Sequence, residues 1–107
     1  PQETFAGFDR FEALIRATLH TETGRGFRLQ GAEERRRGIA AALAPLSRAM
    51  PDGDVEALAA GMQLLNSAAA WEFLRDYYGM DGRTAGAVAS RIMQWLLQGI
   101  EAEQPRE

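Results

Sequence analysis

The sequence predicts an all-α fold, an antiparallel bundle of about four main helices with no sheet. Two observations predict it. Every long segment carries apolar residues at a helical period, and short stretches of turn chemistry separate those segments. The central stretch, Asp54 to Gly79, reads as a single long helix. It carries two apolar stripes. Val55, Leu58, Met62, Leu65, Ala69 and Phe73 fall on one side; Ala57, Gly61, Leu64, Ala68, Trp71 and Tyr78 fall roughly opposite. A helix on the surface of a self-contained subunit needs one such stripe. Two stripes require two packing partners.

Taken in order, Pro1 to Gly7 carries no strong pattern and is expected to fray. A first helix is predicted from about Phe8 to His20, with Phe8, Phe11, Ile15 and Leu19 as its apolar stripe and Leu14 beside it. His20, the only histidine, falls at its C-terminus, where a charged imidazole suits the helix dipole; a place in a ligand pocket is the other role open to it. Thr21 to Gly31 holds three of the eleven glycines and reads as a loop, pinned to the core by Phe27 and Leu29. A second helix is predicted over Ala32 to Met50, its face formed by Ile39, Leu43, Leu46 and Met50. Glu33 and Glu34 suit its first turn, and Arg35, Arg36 and Arg37 either pair with them on a solvated face or form a patch for phosphate or an acidic partner. Pro45 lacks an amide hydrogen and clashes with the Ala41 carbonyl, so the helix must kink there or stop and restart.

Pro51-Asp52-Gly53-Asp54 is a turn, with Asp52 or Asp54 expected to cap the central helix. Gly79 suits a left-handed helix end, with Met80 giving an apolar contact after it. Asp76 lies in the last turn, where the dipole disfavours an acid, and an arginine partner is expected. Asp81 should cap a final helix from Gly82 to Glu103, antiparallel to the one before it.

That final helix is apolar over an arc of about 200°, where a core-facing helix needs little more than about 100°. Arg91, Gln94, Gln98 and Glu101 form its one polar strip. Ala57, Gly61 and Ala68 on the central helix, with Ala85, Gly86 and Ala89 on the last, would let helices approach closely. A surplus apolar face is avoided by monomers. The expectation is a twofold homodimer in which the last two helices of each copy form an intersubunit four-helix bundle. Leu64, Ala68, Trp71, Arg75, Tyr78, Ala89, Met93, Leu97 and Ile100 are its expected contacts.

Composition narrows the function classes. At 107 residues the chain is one domain. A net charge of −3 gives no electrostatic footprint for nucleic acid. The absence of cysteine excludes disulfides, thiolate zinc sites and cysteine nucleophiles. No apolar run approaches a membrane span and no signal peptide is visible, so a cytoplasmic location is expected and no membrane partner. Every basic residue is an arginine, as codon bias in a GC-rich genome would produce; guanidinium chemistry is the functional alternative. There is no P-loop, GxGxxG, HExxH or EF-hand loop. Glu72 and Asp76 form an i, i+4 carboxylate pair, read as surface charge braced by Arg75 or as acid/base chemistry; a di-metal bundle would need Glu-x-x-His motifs that a single histidine cannot supply. No enzyme activity, metal or cofactor is expected.

The segment from Ala68 to Ile100 resembles the C-terminal part of TetR-family transcriptional regulators, in which a long helix often ends in Trp-x-x-Leu-Arg-Asp-x-x-Gly. Those positions here are Trp71, Leu74, Arg75, Asp76 and Gly79. Gly38 to Leu46, with its proline, is similar to the helix that precedes this pair in many members. The resemblance implies an effector-binding and dimerisation domain: the last two helices dimerise, and a small molecule binds among the preceding ones. The family's N-terminal helix-turn-helix is missing here, and the chain begins at Pro1 rather than methionine, as a piece of a longer one would. DNA is therefore expected as a partner only through an N-terminal domain not present in this chain. The competing expectation is a free-standing helical homodimeric protein–protein interaction module without a ligand.

An effector cavity is expected between the Phe8–His20 helix, the Ala32–Met50 helix and the first stripe of the central one. Phe11, Ile15, Leu19, Ile39, Leu43, Met62, Leu65, Ala69 and Phe73 would form its apolar wall, and His20, Asn66 and Tyr77 would be the polar groups reaching inward. The Pro45 kink would leave space and a free carbonyl at Ala41 on that side. The ligand would be small and mostly apolar, with an aromatic body as one form open to it.

Overall fold

The computed structural model describes residues 1–103, which form six α-helices: α1 (Gln2–Arg10), α2 (Glu12–His20), α3 (Glu22–Ser47), α4 (Asp52–Leu65), α5 (Ala68–Tyr78) and α6 (Gly82–Glu103). The all-helical class is as the periodicity predicts. Six helices stand where about four are expected, because two predicted helices are broken and one predicted loop is helical.

The N-terminus does not fray. Phe5 is fully enclosed, and α1 lies along α6, its most extensive partner. The close approach rests on two glycines of α6: a Cβ on Gly82 would strike the Phe5 carbonyl, and one on Gly86 would strike the backbone of Gln2. Gly86, expected to admit a second copy, thus admits α1 instead. One buried phenylalanine in a short segment leaves no period to read, so this docking is invisible in sequence. The chain turns at Phe11, with φ −119° and ψ 34°, dividing α1 from α2.

Thr21 to Gly31 is the first part of α3, not a loop. Thr21 is extended and its Oγ1 accepts from the Gly24 amide at 3.0 Å, an N-terminal cap of the common kind. Gly24 itself sits against the backbone of Thr18, where no Cβ fits. Helix propensity is poor here, since each interior glycine costs up to about 1 kcal/mol relative to alanine. Packing against α2 and α4 overrides it. Phe27 and Leu29 do not pin the segment; both are exposed. The helix continues through Pro45 and ends at Ser47.

The central helix is broken at Asn66-Ser67. Asn66 leaves helical geometry (φ −96°, ψ 7°), and its Nδ2–H donates to the Met62 carbonyl at 2.8 Å. Ser67 is extended, accepts from the Ala70 amide at 3.3 Å and donates to the Leu64 carbonyl at 2.6 Å. One residue pair therefore ends α4 and caps α5. Asp52 and Asp54 do not cap α4; Pro51 occupies the cap position and both acids lie in the first turn, where the dipole favours them. Gly79 closes α5 in the left-handed region (φ 65°), its amide donating to Arg75 O and that of Met80 to Leu74 O. Asp81 caps α6 by accepting from the Thr84 amide at 2.8 Å.

The core is in two pieces. Phe5, Trp71, Ala85 and Ala89 form one, joined by Phe8, Ile15, Leu65, Leu74 and Met80. Leu43, Leu58 and Met62 form the other, joined by Ile39, Met93, Leu97 and Ile100. The subunit is elongated, 51 × 28 × 20 Å, with a radius of gyration of 15.3 Å; a compact domain of this length would have about 13 Å. Its surface is 7474 Å², about a quarter above what a monomer of this mass exposes. Among the described residues no helix is long and apolar enough to cross a membrane.

Candidate functional site

A cavity of about 840 Å³, open to solvent on one side, borders both core pieces. Phe8 and Ile15 of the first piece and Ile39 of the second line it. Its volume falls within the range of small-molecule sites, roughly 300–1,000 Å³. The first wall comes from Thr4 and Phe8 on α1 and from Ile15, Thr18 and Leu19 on α2. The floor is made by Gln63 on α4, by the Asn66-Ser67 break and by Ala68 and Ala69, the first residues of α5. At this floor the Asn66 Nδ2–H is engaged by the Met62 carbonyl, and the Ser67 hydroxyl by the Leu64 carbonyl and the Ala70 amide.

The third wall is α3. Arg28, Ala32, Arg35, Ile39 and Ala42 line the cavity at i, i+4, i+7, i+11 and i+14, which is one face of a helix. Leu29 and Gly38 flank it. Two arginines thus occupy places where a core-facing helix would carry apolar side chains. The stripe Ile39, Leu43, Leu46 is visible in sequence; its N-terminal continuation is not, because arginine does not register as core.

Of the residues expected to line a cavity, Ile15, Leu19, Ile39, Asn66 and Ala69 do so. Leu43, Met62 and Leu65 are packed into the core pieces instead. Phe11, Phe73 and Tyr77 face outward, at 60%, 51% and 76% exposure. Phe11 is turned out at the bend between α1 and α2. Phe73 and Tyr77 lie on the side of α5 away from Trp71, with their rings stacked at 4.7 Å. His20 is drawn away from the cavity by Glu72: its Nε2–H donates to the carboxylate, 2.7 and 2.8 Å from the two oxygens.

A second constellation ties α5 to α1 and α2. Asp9 accepts from the Trp71 indole Nε1–H at 2.8 Å, from Arg75 Nη1 at 2.9 Å and from the Gly82 amide at 2.6 Å. Arg16 donates to both oxygens of Asp76 at 2.8 and 2.9 Å and to Glu72 and Glu12 at 3.1 Å each. The arginine expected beside Asp76 is therefore Arg16; Arg75 reaches Asp9 and Glu12 and does not brace the Glu72–Asp76 pair. The hydrogen bonds from Arg16 hold the Asp76 carboxyl below its ordinary range and, in turn, raise the Arg16 guanidinium. The Thr84 amide and hydroxyl hold Asp81 below its ordinary range in the same sense. Each charge in this network meets its opposite, so it reads as a clamp.

The residues expected at a dimer contact divide in three. Trp71 and Ala89 are fully enclosed by their own chain and have no surface to offer a second copy. Arg75 is engaged by Asp9, and Met93, Leu97 and Ile100 pack on the Leu43–Leu58–Met62 core. Leu64 and Tyr78 are exposed, and Ala68 lies at the cavity. Trp95 and Leu96 are exposed as well, and Leu96 approaches Gly61. Exposed apolar residues therefore stand on α4 and α6: Leu64, which is among the expected contacts, and Trp95 and Leu96, which are not.

No family model, curated protein or solved structure matches this chain.

Proposed function

We propose that this chain is the effector-sensing and homodimerisation domain of a TetR-like transcriptional repressor, which binds a small molecule with a largely apolar body in the cavity between α1–α2, α3 and the α4–α5 break. The observation that carries the reading is the cavity itself. A concave, largely apolar pocket of this size is what a small-molecule site needs, and a helical interaction module does not require one. The cavity borders both core pieces, and its wall mixes aliphatic side chains with a few polar groups, as ligand sites do. A ligand there would touch five helices at once and so bias their relative placement. DNA binding would come from an N-terminal domain outside this chain.

Homodimerisation is the second part of the proposal. It is supported by the excess surface and by exposed Leu64, Trp95 and Leu96 on α4 and α6, with Ala57 and Gly61 as small residues on the same side of α4. A specific interface buries about 800 Å² on each partner, which the excess surface of one copy more than covers.

The experiment is a melting-temperature screen of this chain against small apolar and amphipathic compounds. A cavity ligand raises the melting temperature, and Asn66→Leu changes which compounds do so while leaving the oligomeric state intact. A screen in which no compound shifts the melting temperature, in either protein, rejects the sensor in favour of the interaction module.

A further inference from the structure

Resting on the cavity as a ligand site, we infer that its ligand is an anion: an apolar body carrying one carboxylate, which Arg28 and Arg35 receive. The cavity wall contains these two guanidinium groups and no aspartate or glutamate. Five arginines elsewhere find acids, whereas Arg10, Arg25, Arg48 and Arg91 have no ion pair among the described residues. Arg16 pairs with Glu12, Glu72 and Asp76, Arg36 with Glu56, Arg37 with Glu33, Arg75 with Asp9 and Glu12, and Arg83 with Glu3. Among the described residues, neither Arg28 nor Arg35 has a carboxylate within salt-bridge distance, although Glu33 and Glu34 lie on the same helix.

They are nonetheless held. Arg28 donates from Nε to the Thr18 carbonyl and from Nη2 to the Leu19 carbonyl, both at 3.3 Å. Arg35, exposed at the rim of the cavity, reaches back along α3 and donates from Nη2 to the Arg28 carbonyl at 2.9 Å. Bonds to neutral carbonyls fix a guanidinium without neutralising it, and each group keeps an Nη1 donor in reserve. Gly31 makes the second placement possible: Arg35 Nη1 lies 2.6 Å from where a Gly31 Cβ would stand. A glycine in mid-helix is unfavourable unless something uses the space, and here the guanidinium does. Two positioned, unneutralised cations on the same wall as Ile39 and Ala42, facing Ile15 and Leu19, complement a molecule with an anionic head and an apolar tail.

Isothermal titration of this chain with decanoate, 1-decanol and decylammonium, all below their aggregation concentrations, separates the parts of the inference. Decanoate should bind at least about tenfold more tightly than decanol, as expected for a charge-assisted hydrogen bond, and decylammonium most weakly. Arg35→Gln should remove the preference for decanoate and leave decanol affinity unchanged. Gly31→Ala, which displaces the Arg35 guanidinium while favouring the helix, should do the same without loss of stability. Equal affinity for decanoate and decanol, unchanged in both variants, overturns the anionic head and leaves the cavity a ligand site. Absence of binding by all three probes overturns the ligand site itself.

Discussion

The Trp71 indole N–H donates to Asp9 at 2.8 Å, and that one bond joins the fully buried ring of α5 to the last turn of α1. Because Asp9 also accepts from Arg75 and from the Gly82 amide, a single carboxylate fixes three helices. Asp9→Asn keeps the shape but sets an amide against one of three donors. The expected loss is about 2 kcal/mol, the scale for a hydrogen bond to a charged group. Urea unfolding followed by tryptophan fluorescence measures it, and an unchanged midpoint would show that the bond contributes nothing.

The α1–α6 contact should tolerate no added methyl. At Gly82 and Gly86 the obstructing atoms are backbone, which cannot swing aside as a side chain would. Gly82→Ala or Gly86→Ala is expected to lose about 1–3 kcal/mol or more from overpacking. Undocking of α1 would appear as faster hydrogen exchange over Gln2–Arg10.

Gly26 is the opposite case. Nothing lies within 4 Å of its added Cβ, and its φ is not positive. Gly26→Ala should stabilise the chain by about 0.5–1 kcal/mol through helix propensity. A lower melting temperature would mean that α3 does not run through this position in solution.

Stability should fall in acid through Asp76 and Asp81. Both carboxyls are held below the ordinary value of 3.8, Asp76 chiefly by Arg16 and Asp81 by Thr84. A folded-state pKa below the unfolded one means the stabilisation is fully present above that ordinary value. It is then lost as pH falls toward the folded pKa. Both groups are exposed, so the effect is screened and modest. Melting curves between pH 6 and pH 2 should show a shallower acid limb for Asp76→Asn than for the parent.

The open face on α4 and α6 should govern self-association. Trp95→Glu introduces a charge where the proposed dimer would desolvate it, whereas Phe27→Glu alters a still more exposed aromatic on α3. Sedimentation should show the first variant as a monomer and the second unchanged from the parent. Equal behaviour of both would place the contact elsewhere.

Helical class, the α6 span, the left-handed end at Gly79 and the Asp81 cap were determined by the sequence alone. Each rests on local rules: a 3.6-residue period, a glycine at a helix end, an acid before one. The Trp-x-x-Leu-Arg-Asp-x-x-Gly stretch was legible as a pattern, but its physical content was not. Trp71 and Arg75 serve Asp9, and Asp76 serves Arg16, across sequence separations of about sixty residues. Tertiary structure alone decided that α1 is core, because its evidence is the missing side chains of Gly82 and Gly86 on a distant helix. It decided that a glycine-rich stretch is helical, since packing outweighs propensity differences of about 1 kcal/mol per residue. The Asn66-Ser67 break was present in the sequence as two good capping residues, hidden by an apolar period that runs on through it. The cavity wall was half legible for the same reason. Periodicity finds apolar faces, and Arg28 and Arg35 sit on one without being apolar.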